Sequence, residues 1–302
     1  MDFSFLSLEL WVYFTLLAAV MQAIRTAGQK KLSGHLSAMA TTGVRYIYAL
    51  PFAFIYLLFI TEQRAVSLPL LNRHFLMYAL IACLMQIIGT FCLVAAFKYR
   101  NFAVATSLAK TEAIQVAVVG ALFFSVSLSL LAWLSVFIGV IGVLIVSKVK
   151  FTVTDIFKNP GAGFGLSSGL ALAITTLLIR ESSLALNTDL MVSAAVTLLF
   201  MVGVQSVISI IYLSLKDRKQ LTLMAKHWRM CLFVGITSVI GSIGWFTAAS
   251  FQNAAYVKAL GQVEFFITLL LTYRIFKERI SRFEYLGMLL IIVSVVILLL
   301  WA

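Results

Sequence analysis

The sequence has few charged and few turn-forming residues for its length. Of 302 residues, 11% are Asp, Glu, Lys or Arg and only three are proline, whereas 62% are hydrophobic. Soluble domains carry about 25% charged residues, so this composition excludes a water-soluble protein. Long apolar runs and a mean hydropathy of +1.06 indicate a polytopic helical membrane protein.

Cysteine and histidine are also scarce, with three of each. Cys83, Cys92 and Cys231 lie inside apolar runs, as small buried hydrophobic residues do. The histidines lack metal-ligand spacing, and the chain has no Walker motif. No basic stretch is interleaved with aromatic residues, which argues against nucleic acid as a partner. We therefore expect no disulfide framework, no metal, no cofactor and no enzymatic activity.

The apolar runs divide into ten segments, each close to the roughly 20 residues that span a bilayer. Continuous apolar runs exclude a barrel, whose strands alternate. The sequence thus predicts an all-α membrane protein with ten transmembrane helices. Their expected limits are 10–29, 38–60, 75–97, 102–123, 128–148, 162–180, 189–214, 229–250, 255–273 and 283–302.

The chain repeats itself at an offset of 152 residues. An Asn and a Glu, eleven residues apart, recur in the fourth predicted helix of each half. Five helices per unit is an odd number, so the halves must cross the membrane in opposite directions. The pattern predicts two inverted five-helix repeats, residues 1–150 and 151–302. The matching pairs are Gly89 with Gly241, Asn101 with Asn253, Glu112 with Glu264 and Ser129 with Ser281.

The basic residues behind the net charge of +12 are concentrated in alternate loops between the predicted spans. Sixteen of the 23 basic residues fall in odd-numbered loops and three in even-numbered ones, while four lie within spans. The positive-inside rule then places the odd-numbered loops in the cytoplasm. We expect both termini on the non-cytoplasmic side of an inner or plasma membrane.

Ten spans in two inverted sets, with an Asn and a Glu in each fourth helix, resemble the EamA type of the drug/metabolite transporter superfamily. The resemblance covers nearly the whole chain. Members typically carry a Glu-Pro pair in the fourth and ninth helices, but here Glu112 is followed by Ala113 and Glu264 by Phe265. No kink is therefore assumed at those positions. A second signature, near the start of the tenth helix, is matched by Glu278, Ser281 and Gly287.

Six charged residues lie inside the predicted spans and away from their ends, where each needs a partner or a wet cavity. They are Arg25, Arg45, Lys110, Glu112, Lys258 and Glu264. Gln22, Arg25 and Gln29 share one face of the first helix, which predicts a cavity-lining stripe. Lys110 and Glu112 project about 200° apart around the helix axis and cannot pair with each other.

These positions define the candidate site. Glu112 and Glu264 are candidates for proton coupling, because a membrane-embedded carboxyl can relay protons. Two structural alternatives remain open. Arg25 and Arg45 could reach the membrane interface, or Lys110, Glu112 and Glu264 could form an ion pair that has no function. The substrate-binding candidates are Gln22, Arg25, Gln86, Lys110, Gln115, Trp245, Lys258 and Gln262.

The sequence thus predicts a secondary active transporter that moves a small polar metabolite by alternating access between inverted repeats. Four positive and two negative in-span charges favour an amino acid or an organic anion, and the coupling ion could be the proton. The expected partners are this metabolite, protons and the lipid bilayer, with the chain as a monomer or homodimer. The alternatives are an exporter of amphiphilic drugs or lipid-linked compounds, and a non-transporting membrane sensor or enzyme.

Overall fold

The computed structural model describes residues 9–96, 108–146, 160–267 and 282–301, and all regular structure in these ranges is helical. The described helices are α1 (Leu10–Leu32), α2 (Ala38–Ile47), α3 (Leu50–Arg64), α4 (Arg73–Ala96), α5 (Glu112–Phe123), α6 (Leu130–Val146), α7 (Pro160–Ala185), α8 (Leu190–Lys216), α9 (Arg218–Lys226), α10 (Trp228–Phe251), α11 (Ala254–Gly261) and α12 (Arg282–Trp301).

Six stretches of the described chain are helical, apolar and long enough to cross a membrane. They are α1, α2 with α3, α4, α7, α8 and α10, and each begins and ends within a few residues of a predicted span. Three shorter apolar stretches, 112–123, 130–145 and 285–300, belong to α5, α6 and α12. The fourth and ninth predicted spans, 102–123 and 255–273, extend beyond the described residues, as does Glu278 of the second signature.

The second predicted span is divided into two helices. α2 ends at Ile47 and α3 begins at Leu50, with Pro51 in its first turn. Proline has no N–H to donate and clashes with the preceding turn of a helix, so the helix restarts there. The break brings Tyr48 against α10, where a Cβ added to Gly235 would lie 2.5 Å from the Tyr48 Cβ. A side chain at that position would separate α2 from α10.

The most extensive helix contacts each join the first repeat to the second. They are α1 with α10, α4 with α7, and α6 with α12. The offset of 152 residues carries α1 onto α7 and α4 onto α10, so it exchanges the first two pairs, and it carries α6 onto α12. Helix packing among the described residues therefore follows the duplication, and the two repeats interlock.

The outer surface is apolar, whereas many buried side chains are polar. Phe54, Ile55 and Leu58 of α3 are each more than half exposed. Inside, hydroxyl groups donate to the carbonyl four residues earlier, as Thr15 does to Trp11 at 2.7 Å. Such hydroxyls are satisfied within their own helix and need no water. This distribution suits a chain whose surroundings are lipid.

Candidate functional site

A cavity of about 180 Å³ lies between the two repeats. α1, α2, α4 and α5 contribute side chains from the first repeat, and α7, α10 and α11 contribute them from the second. Its apolar wall includes Leu93, Leu172, Ile179 and Phe246. Its polar lining includes Gln22, Arg25, Thr26, Gln29, Arg45, Gln86, Thr90, Lys110, Glu112, Thr175, Thr176, Ser242, Lys258 and Glu264.

Two ion pairs cross between the repeats at the cavity wall. Lys258 Nζ lies 2.7 Å from Glu112 Oε1, and Lys110 Nζ contacts Glu264 Oε2. Each pair takes its lysine from one repeat and its carboxylate from the other. Lys110 and Glu112 do face different partners, as their spacing predicts. The pairs join α5 and the segment just before it to α11 and the segment just after it.

Each glutamate opens a new helical stretch after a two-residue turn. Residues 110–111 interrupt the helix before Glu112, and residues 262–263 interrupt it before Glu264. Thr111 N–H donates to the Leu108 carbonyl, three residues back instead of four. No kink was predicted at these positions, because the prolines are absent, but each helix is interrupted at the two residues directly before the glutamate. Both carboxylates thus sit at a helix N-terminus, where partial positive charge favours an anion.

Gln22 connects both repeats through its side-chain amide. Its Nε2 donates to Glu264 Oε2 at 2.8 Å, and its Oε1 accepts from Trp245 Nε1 at 2.9 Å. Arg25 Nη2 donates to the same oxygen at 3.2 Å. The Trp245 ring also faces Lys258, whose Nζ lies 4.1 Å from the ring centroid. One hydrogen-bonded network therefore holds the tryptophan, a glutamate and an arginine together.

Arg25 and Arg45 are buried, with 4% and 7% of their surface exposed. The alternative in which these two side chains reach the membrane interface is therefore wrong. Arg45 Nη1 donates to Thr90 Oγ1 at 2.8 Å. Arg25 Nε and Nη1 and Gln29 Nε2 have no hydrogen-bond partner among the described residues. The stripe predicted on α1 does line the cavity, and two of its members present unused donors.

Eight of the ten predicted site residues line this cavity: Gln22, Arg25, Gln86, Lys110, Glu112, Trp245, Lys258 and Glu264. Gln115 lies outside the lining, bonded to Thr111 at 3.0 Å and packed against Gly169. Gln262 also lies outside it, because it ends α11 and turns towards Gly139 of α6. It lines a smaller pocket beside the ion pairs instead.

Several lining residues were absent from the predicted set. Arg45 could have been predicted, since a charge inside a span needs a partner. Gln29 could also have been predicted, because it lies on the same face of α1 as Gln22 and Arg25. Nothing in the sequence marks Thr90, Thr175 and Thr176 as cavity-lining residues, because a threonine in an apolar helix usually bonds its own backbone. Thr175 does so, donating to the Ala171 carbonyl at 2.7 Å. Within the described ranges, no three His, Cys, Asp or Glu side chains could together hold a metal ion.

Comparisons with known proteins agree with this architecture. No curated protein matches the sequence. A solved structure, described as a crystal structure of a protein, superposes with a TM-score of 0.72 over 95% of this chain and 94% of that one, at 12% identity. This similarity shows a shared fold. The model of the EamA-like transporter family matches twice, over residues 9–148 and 159–300. The chain is therefore a multi-pass membrane protein of the EamA-like transporter family.

Proposed function

We propose that this protein is a secondary active transporter that moves a small polar metabolite by alternating access. The observation that carries the proposal is the cavity between the repeats, which both halves line and into which buried charges converge. Charged side chains inside a membrane are expensive and are characteristic of substrate and ion pathways. A site between repeats is also where relative motion of the two halves changes access.

The proposed architecture is ten spans in two inverted five-helix repeats. The exchange of α1 with α7 and of α4 with α10 at the 152-residue offset supports it. The orientation remains the one predicted from loop charge, with both termini outside the cytoplasm. A reporter that is active only in the cytoplasm, fused after Ala302, should be silent. An active fusion would reverse the orientation.

Glu112 and Glu264 are the proposed proton-coupling residues. Each carboxylate pairs with a lysine from the other repeat, so adding a proton removes an attraction that holds the repeats together. Protonation and the relative position of the two halves are then linked, as coupling requires. No Walker motif is present in the sequence to couple ATP, and an ion or substrate gradient supplies the energy.

Flux measurements in reconstituted vesicles test both parts. Labelled metabolites should enter or leave the vesicles, and a pH gradient should change the rate. Glu264→Gln should abolish the response to the gradient, whereas Glu62→Gln, an exposed carboxyl near the end of α3, should not. If none of the metabolites crosses the vesicle membrane through the protein, the transport proposal is refuted. A Glu264→Gln variant that keeps its pH response would remove this residue from coupling.

A further inference from the structure

The cavity has unused hydrogen-bond donors close to α1. Arg25 Nε and Nη1 and Gln29 Nε2 are buried without a partner in the described part of the chain. Arg25 and Gln29 are 4% and 1% exposed and lie one turn apart on the cavity-facing side of α1. Unpaired donors at this depth cost free energy that a bound acceptor would recover. The α1 side of the cavity is therefore built for a ligand that accepts hydrogen bonds.

The electrostatics of this region also call for an acceptor with negative charge. Arg45 lies near enough to Arg25 for their positive charges to repel each other. Neither guanidinium has a carboxylate within 4.0 Å among the described residues, since the ion pairs found there involve lysines. Glu264 and Glu112 attract Arg25 only from beyond that distance, and two buried cations without a carboxylate in contact are unfavourable. An anion bound beside them would supply the missing charge.

The carboxylates of the cavity are already engaged. Glu112 faces Lys258 at 2.7 Å, and Glu264 contacts Lys110 and accepts from Gln22. A substrate ammonium group would have to displace a lysine to reach either one. The four cations and two carboxylates that line the cavity in the described ranges thus leave a surplus of positive charge on the arginine side. This arrangement disfavours amines, and it gives the ammonium of an amino acid no free counter-charge.

We propose that the transported substrate is a small organic acid with an apolar body, whose carboxylate binds Arg25 and Gln29 beside Arg45. Its apolar part packs against Leu172 and Phe246 on the opposite repeat. The proposal rests on the transport function proposed above and selects the organic anion over the amino acid. A carboxylate held this way accepts charge-assisted hydrogen bonds from the guanidinium, which are stronger than bonds between neutral groups.

Three compounds with the same branched apolar body separate the charge classes. They are 4-methylpentanoate, leucine and 3-methylbutylamine, and each is titrated against purified protein while thermal unfolding is followed. Ligand that binds the native state raises the unfolding temperature. We expect a saturable rise with the carboxylate, a weaker one with leucine and none with the amine. Equal or larger rises with leucine or the amine, or no rise with the carboxylate, would overturn the substrate class.

Variants at the arginine connect this binding to the site. Arg25→Gln should weaken carboxylate affinity roughly 10- to 100-fold, the range expected for losing a charged hydrogen-bond donor. Arg25→Lys should retain part of the affinity because it keeps the charge. Arg64→Gln, an exposed arginine near the end of α3, is the matched control and should bind as the parent does. Unchanged binding by Arg25→Gln would overturn the assignment.

Failure of transport and failure of the substrate class give different results. If the carboxylate binds in an Arg25-dependent manner but no flux of it occurs in vesicles, the binding class stands and the transport function fails. If vesicles carry leucine or the amine faster than the carboxylate, transport stands and the substrate class fails.

Discussion

The crossed ion pairs make a double-mutant cycle the most informative perturbation. The variants are Lys258→Met, Glu112→Gln and the combination of the two. Removing one member of a buried pair leaves the other charge without compensation, whereas removing both leaves none. The loss of stability in the double variant should therefore be smaller than the sum of the two single losses.

The structure allows the magnitudes to be estimated. Both side chains are nearly buried, with 12% and 11% of their side-chain surface exposed, and the charged atoms are 2.7 Å apart. At an effective dielectric constant of about 20 the attraction is roughly 6 kcal/mol, most of it offset by desolvation. We expect single losses of about 3 kcal/mol and a coupling energy of about 2 kcal/mol. Lys258→Met should cost about 1 kcal/mol more than Glu112→Gln, because it also removes the cation–π contact with Trp245.

Reversible unfolding in mixed micelles, with increasing sodium dodecyl sulfate, measures these differences. A second cycle supplies the control: Lys258→Met with Glu264→Gln combines residues from different ion pairs and should show the smaller coupling energy. The reasoning is refuted if this second cycle shows the larger coupling, since the lysines would then have the opposite partners. It is also refuted if Lys258 and Glu112 prove additive.

Three further predictions use the same unfolding measurement. Gly244→Ala should destabilise the protein by about 2 to 3 kcal/mol, because the added Cβ would lie 2.5 Å from a carbonyl oxygen of α1. Its control is Gly163→Ala, where the added Cβ meets no atom within 4 Å and should stabilise the protein by about 0.5 kcal/mol. Equal effects of the two substitutions would contradict the close approach of α10 to α1. Arg180→Ala should cost about 2 kcal/mol, since its Nη1 donates to carbonyls at the end of α10; a neutral effect would show that the helix end needs no such donor. Trp245→Phe should cost about 1 kcal/mol through its lost bond to Gln22, and a loss above about 3 kcal/mol would point to packing instead.

Much of the fold could be predicted because the bilayer sets helix length and the duplication repeats the pattern. α1 begins at Leu10 as predicted, and α8 and α10 begin and end within two residues of their predicted limits. The break after α2 was missed, although Pro51 could have signalled it. The turn before Glu112 could not be foreseen, because no proline or glycine stands beside it. Gly261, directly before the turn that precedes Glu264, is a residue type that commonly ends helices and could have signalled that break.

Most of the charged residues that line the cavity could be predicted from the sequence, but their pairing could not. The cost of membrane charge singled out Lys110, Lys258 and both glutamates, and all of them line the cavity. The offset that aligns Glu112 with Glu264 places Gln262 opposite Lys110, and so the lysines do not follow the repeat. Their crossed pairing depends on how two interrupted helices approach, which spacing along one helix cannot reveal.

Because α1 packs against α10, its final partner is synthesised long after α1 itself has been made. About 200 residues separate the end of α1 from the start of α10, and a ribosome needs roughly 10 to 40 s to make them. Throughout that interval α1 carries Gln22, Arg25 and Gln29 without the helix against which it finally packs. Because hydrocarbon penalises such a polar face, the insertion machinery or a helix synthesised before α10 must cover it until the second repeat is made.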